Sequence, residues 1–278
     1  MKKTSFLSIA SLAIFMLALS SLWAQDAAQA VKTPEAAREK GDFHIYLLIG
    51  GSNMTGKVTF AKADKKTESK IFVLDAKNEW NSAETIFKSQ DKSEDIADIG
   101  MGIAFGKGML QNLRNDVYIG IINCASADSD IKSWSKGSPL YEKAVERTKL
   151  AQKSGVLKGI VWHQGEADAK STDLKAYGEA TIRLINDLRN DLAPEMKVFP
   201  LPFVGGKLYS YPFDKDTDVY REFNENLEKT YLDIDRHGLV ETKGLKVKGS
   251  STIFDNDSMI ELGKRYAESM CYLYGKRK

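Results

Sequence analysis

Apolar residues fall in short blocks along this chain, separated by polar stretches that carry glycine. The blocks Phe43–Ile49, Ile71–Leu74, Val117–Ile122, Leu157–Trp162 and Val198–Phe203, with a shorter one at Gly238–Val240, predict strands. The third, fourth and fifth are rich in Val, Ile, Leu or Phe, as strands covered on both faces are. Between the blocks the apolar spacing turns helical. Gly102–Leu113 opens after glycines, and Leu140–Gln152 follows Ser138-Pro139, a cap and first-turn pair. Leu174–Leu188 carries Leu174, Tyr177, Thr181, Leu184, Ile185 and Leu188 on one stripe. Val219–Tyr231 and Ser258–Tyr274 complete the helices, the last with Asp257 as its expected cap. Alternation of this kind predicts an α/β fold, a parallel sheet with helices on both faces. Residues 53 to 98 read as a long charged loop region around the Ile71–Leu74 strand. Residues 25 to 41 read as a loosely ordered lead-in.

The N-terminus has a different pattern. Met1-Lys2-Lys3 precedes an apolar stretch from Phe6 to Trp23, the arrangement of a secretory signal peptide. Cleavage fits after Ala24, or after Ala30, and an uncleaved membrane anchor is the alternative. The expected organisation is a signal peptide at 1–24, a lead-in at 25–41 and one domain at 42–278. The expected location is exported, periplasmic or secreted. Losing Lys2 and Lys3 leaves 38 basic against 38 acidic residues. A neutral domain lacks the basic excess of a nucleic-acid binder. The fractions of 42% hydrophobic and 28% charged residues are those of a soluble globular domain with a sizeable core.

Cys124 and Cys271 are the two cysteines. An exported pair can form a disulfide, but both lie in apolar runs and read more readily as buried small hydrophobes. There is no Cys/His cluster with metal-ligand spacing, so neither a metal nor another cofactor is expected.

Candidate chemistry begins at Gly50-Gly-Ser-Asn-Met-Thr-Gly56. An apolar strand ends at two glycines and leaves the Ser52 hydroxyl at its carboxyl end, where open α/β sheets place their ligands. A serine there can act as a nucleophile if a base removes its proton and preset N–H donors receive the oxyanion. In isolation such a tetrapeptide is also an ordinary turn.

Four blocks in order resemble the sialate O-acetylesterase-like domains, carbohydrate esterases of the SGNH (GDSL-like) hydrolase superfamily. Gly50-Gly-Ser-Asn-Met-Thr-Gly56 resembles that family's Gly-Gln-Ser-Asn-Met-x-Gly, and Ile99–Lys107 resembles its second, glycine-bearing block. Asn123–Trp134 resembles Cys-Ala-x-Gly-Gly-Thr-x-Ile-x-x-Trp. Trp162-His-Gln-Gly-Glu-Ala-Asp168 resembles Trp-His/Tyr-Gln-Gly-Glu-Ser-Asp, the most specific of the set. The resemblance spans about residues 43 to 275. It implies a three-layer α/β/α sandwich of flavodoxin-like kind and an acetylated carbohydrate as partner. It implies Ser52 as nucleophile, Gly100 or Gly102 as a backbone donor, and Gln164 as a polar side chain facing the pocket. Glu166 becomes an anchor for the loops around the serine, and Asn53, Asp128 and His163 become substrate-side residues.

The resemblance fails at one segment. The family carries an Asp-x-x-His pair before its last helix. Here Phe254, Asp255, Ser258, Glu261, Leu262 and Gly263 align without a gap, which puts Ile253 at the histidine and Ser250 at the aspartate. Isoleucine accepts no proton. Gly51 also replaces a glutamine, and Ala127-Asp128 replaces Gly-Gly, putting side chains where backbone approaches the pocket. Of the three histidines, His44 begins the first strand, about 25 Å of extended chain from Ser52. His163 lies near the pocket as a lining or satisfied polar residue rather than a base, and His237 is expected in a loop. Asp255 and Asp257 are weak bases for serine at neutral pH. Two functions therefore stand from sequence. One is an acetylesterase working through an acyl-Ser52 intermediate with an unorthodox base. The other is a degenerate member that keeps the pocket for binding and has lost most or all turnover.

Overall fold

Phe43, Ile45, Leu47 and Ile49 enter one core cluster, and Tyr46 and Leu48 enter another. That period-two alternation makes residues Phe43–Gly50 a strand, β1, covered on both faces. The computed structural model describes residues 39–55, 69–89, 101–170, 173–210, 217–249 and 251–275, with Pro34 and Ala37. The expected signal segment, most of the lead-in, Gly100, Ser250 and the last three residues lie outside the described residues.

Seven strands build one sheet: β1, β2 (Ile71–Leu74), β3 (Trp80–Ser82), β4 (Tyr118–Asn123), β5 (Val156–His163), β6 (Phe203–Gly206) and β7 (His237–Val240). Their order is β3-β2-β4-β1-β5-β6-β7. All neighbours pair in parallel except β2 and β3. The helices are α1 (Ser52–Thr55), α2 (Ala83–Ser89), α3 (Gly102–Leu110), α4 (Pro139–Ala151), α5 (Leu174–Leu192), α6 (Thr217–Leu232) and α7 (Asn256–Leu273). Apolar residues of α4, α5 and α6 share the cluster of Phe43 and Leu47, while those of α3 and α7 share the cluster of Tyr46 and Leu48. The result is the three-layer α/β/α sandwich with a largely parallel sheet. β4 and β5 flank β1 on opposite sides, so a crevice opens at the carboxyl end of β1. Five fully buried side chains of β1 (Phe43, Ile45, Leu47, Leu48 and Ile49) each contribute about 2 kcal/mol of burial. The serine turn is therefore mounted on a firmly held strand.

The structure departs from the sequence reading in several elements. The fifth strand covers Phe203–Gly206 instead of Val198–Phe203, and Val198 and Phe199 are 84% and 72% exposed. Pro200 and Pro202 lack the N–H that a central ladder needs, so pairing starts only after them. The region read as loop contains β3, an antiparallel edge strand, and α2. Asp255, not Asp257, caps α7: its carboxylate accepts from the Ser258 N–H at 2.9 Å. Ser138 caps α4 with Pro139 in its first turn, as the sequence indicates. Neither cysteine forms a disulfide, and both are buried, in clusters on opposite faces of the sheet.

Candidate active site

Ser52 is the first residue of α1, directly beyond β1. The chain turns there because Gly50 takes a φ of 139°, and a Cβ on it would lie 2.0 Å from the His163 carbonyl oxygen. Only glycine lets β1 end this close to β5. Gly51 N–H donates to the same carbonyl at 2.9 Å, and Met54 N–H returns to Gly51 O at 2.9 Å. The Gly50 carbonyl accepts from Ser126 N–H at 2.9 Å and from the Ser129 hydroxyl at 3.3 Å.

The loop after β4 closes one side of the serine. Asn123 donates to Met54 O at 3.3 Å and accepts from Ala125 N–H at 3.1 Å. Asp128 sits at φ 57°, a left-handed conformation that Asp tolerates better than most residues. Its backbone N–H donates to Ser52 Oγ at 3.3 Å. The side chain expected to obstruct this approach is exposed, and the backbone still reaches the hydroxyl.

The opposite side is built by Asn53, which is 0% exposed. Its Nδ2 donates to Glu166 Oε1 at 2.6 Å and to Thr252 O at 3.0 Å. Its Oδ1 accepts from Phe254 N–H at 3.0 Å. The amide thus grips the backbone on both sides of Ile253 and holds that residue beside the serine turn. Burial pushes the Glu166 carboxyl up, but the neighbouring His163 ring, with the Asn53 amide, outweighs it and holds the group below its ordinary range.

Three residues expected to face substrate face the protein instead. Asn53 is buried and bonded to scaffold through both ends of its amide. Gln164, 1% exposed, donates to Ser129 O at 2.8 Å and Asp168 Oδ2 at 2.5 Å, and accepts from the Tyr177 hydroxyl at 2.9 Å. Both of its N–H groups are engaged, which leaves none for an oxyanion. His163, 0% exposed, lies behind Glu166, with Nδ1 2.9 Å from the Tyr266 hydroxyl and Nε2 3.5 Å from Glu166 Oε1. Gly102 opens α3 and is buried; no side chain caps that helix.

No histidine nitrogen hydrogen-bonds to Ser52 among the described residues. His44 is the second residue of β1, six residues before Gly50. His237 is the first residue of the outermost strand rather than a loop residue, and its Nδ1 meets Ile234 O. Its register runs through Phe203 and Ile160 to Leu47, about 10 Å below Gly50 and three strands away. Asp255 is held below its ordinary range by its cap bonds to Ser258, which makes it a poorer base still. Among the described residues no cluster of His, Cys, Asp and Glu could hold a metal ion.

Sequence reasoning gave no role to four residues that build the site. Ser129 ties Gly50 O to the Trp134 indole, whose N–H donates to its hydroxyl at 3.0 Å. Asp168 accepts from Ile131 N–H at 2.9 Å besides Gln164. Asn123 and Tyr266 complete the group. Asn123, Ser129 and Asp168 stood inside the matched blocks, and Tyr266 in the segment Glu261–Ala267 that also resembles the family, but none was given a role.

A serine at the carboxyl end of the first strand of a parallel α/β sandwich, between loops from β4 and β5, defines an SGNH-type hydrolase scaffold. The chain belongs to the family described as carbohydrate esterase, sialic acid-specific acetylesterase, whose model matches residues 42–272. It is 28% identical over 243 residues to a probable carbohydrate esterase of Arabidopsis thaliana, covering 81% of this chain and 89% of that protein. A crystal structure of the Arabidopsis protein superposes with a TM-score of 0.66 at 27% identity, over 82% of this chain and 97% of that one. Two further structures share the fold. A carbohydrate acetylesterase from Xanthomonas citri gives a TM-score of 0.64 at 20% identity, over 84% of this chain and 56% of that one. NanS gives 0.66 at 14% identity, over 86% of this chain and all of that one.

Proposed function

We propose that this chain is an exported carbohydrate-esterase scaffold that binds acetylated sugars at the Ser52 crevice and hydrolyses them much more slowly than a complete esterase, or not at all. The observation that carries this reading is the Asn53 amide. It bonds Thr252 O and Phe254 N–H, on either side of the position where the resemblance expects a histidine, and that position holds Ile253. The loop is built; the proton acceptor is missing from it. The serine hydroxyl keeps a backbone donor in Asp128 N–H but has no base hydrogen-bonded to it among the described residues. An unactivated serine is a weak nucleophile, and a positioned base supplies typically ~10²–10⁴-fold.

The second reading is an active acetylesterase with an unorthodox base. It is favoured by the same Asp128 contact, which keeps a donor on the nucleophile although Asp replaces Gly. Hydrolysis of an aryl acetate by the wild type and by Ser52→Ala decides between the two. Equal rates support the first reading. A Ser52-dependent rate well above background overturns it.

A further inference from the structure

The Tyr266 hydroxyl has one proton and two neighbours. It donates that proton to the Trp162 carbonyl oxygen at 2.8 Å, because a carbonyl can only accept. Toward His163 Nδ1, at 2.9 Å, the hydroxyl must therefore accept, and Nδ1 carries a hydrogen. Burial raises the Tyr266 phenol well above its ordinary range, so it does not supply the contact by ionising. The space for this contact exists because Gly206 has no side chain: a Cβ there would lie 2.0 Å from the Tyr266 oxygen and 2.6 Å from His163 Nδ1.

That assignment leaves His163 Nε2. It is buried, without a hydrogen-bond partner in the present geometry, and 3.5 Å from Glu166 Oε1. A singly protonated ring would aim a bare lone pair at a carboxylate oxygen inside the protein, a costly arrangement for two buried acceptors. We infer that one proton is held between His163 Nε2 and Glu166 Oε1, and that this proton makes the pair the positioning device for the 252–254 loop beside Ser52. The groups facing the ring are Glu166 from the segment after β5, Tyr266 from α7, and the Phe254 ring with its centroid at 5.8 Å. With the proton in place, Glu166 Oε1 is fixed toward Asn53 Nδ2, and Asn53 holds Thr252 O and Phe254 N–H. A ring nitrogen with no access to substrate thereby sets the backbone on the far side of Asn53. The inference concerns loop order and does not depend on whether Ser52 turns over.

The test uses the soluble protein labelled with ¹⁵N at histidine. In the wild type at neutral pH, His163 Nδ1 should show a directly bonded proton and Nε2 a proton that is bonded or shared. Glu166→Gln can keep an oxygen for Asn53 but cannot also donate to Nε2, because both contacts fall on Oε1. It should leave a neutral ring protonated at Nδ1 alone, with hydrogen exchange at the Phe254 amide faster than in wild type. Glu166→Ala should speed that exchange by about tenfold or more. A wild-type Nε2 that is a bare lone pair overturns the inference, as does Phe254 exchange in Glu166→Ala that matches the wild type. Should Glu166→Ala fail to fold, the wild-type ring spectrum and Glu166→Gln decide alone.

Discussion

Asp128 donates its backbone N–H to Ser52 Oγ from a left-handed conformation, at 3.3 Å and φ 57°. The position needs that φ to turn its amide toward the serine, and it does not need a carboxylate. Asp128→Gly should be neutral or stabilising by up to about 1 kcal/mol, because glycine reaches positive φ without steric cost. Asp128→Val should destabilise by about 1–2 kcal/mol, since a β-branched residue is an outlier there. Urea midpoints at constant slope measure both.

The Asn53 clamp leads to a second prediction, about base restoration. Since Thr252 O and Phe254 N–H are already held, a histidine placed at 253 enters a preset loop. Ser250→Asp with Ile253→His should raise Ser52-dependent acetate release by about 10²-fold or more. The rate should climb with pH through the ordinary histidine range near 6.5, where the ring becomes a base. An unchanged rate would mean that the oxyanion side is also impaired, in line with a Gln164 amide fully engaged by Ser129 and Asp168.

Much of this architecture is legible in the chain because β1, β4 and β5 carry continuous apolar runs and α5 a clear helical stripe. What escapes is set by partners distant in sequence. Val198 and Phe199 look like strand residues, and it is the neighbouring prolines that keep them out of the ladder. β3 is too short and polar to announce itself and forms by pairing with β2. At the site, motif order located Ser52, Asn53, Gln164 and Glu166, but not which way their side chains face. Asn53 is adjacent to the nucleophile in sequence, yet its bonds go to Glu166, Thr252 and Phe254. Nothing local dictates that, because its partners lie 113 residues or more away.

Capping of α7 gives a third prediction. Asp255 accepts from Ser258 N–H at 2.9 Å, while Asp257 is exposed in the first turn. Asp255→Ala should cost about 1 kcal/mol and Asp257→Ala a few tenths of that. The Asp255 carboxyl lies below its ordinary range, chiefly through its bonds to Ser258. Its contribution is therefore present above the unfolded-state pKa near 3.9 and fades as the pH falls through the lower folded value. Thermal melts of wild type and Asp255→Ala should converge in that acid window and stay separated from about pH 5 upward.

The fourth prediction separates the shape of Asn53 from its hydrogen-bonding pattern. Asn53→Asp is nearly isosteric but, when ionised, cannot donate to Glu166 Oε1 or Thr252 O, and it places a second carboxyl 2.6 Å from the first. Two carboxylates that close cannot both ionise, so the pair must take up a proton on folding. The folded pair then binds more protons than the unfolded chain. Stability relative to wild type should be lowest at neutral pH, by about 3–5 kcal/mol, and the deficit should shrink as the pH falls toward about 4. Asn53→Ala, which removes both hydrogen-bonding ends without adding charge, should lose about 2–4 kcal/mol. Its deficit should instead stay nearly level until Glu166 itself titrates in acid. Denaturant unfolding of the two variants between pH 4 and pH 8 distinguishes them. Parallel curves would show that charge at position 53 does not reach Glu166.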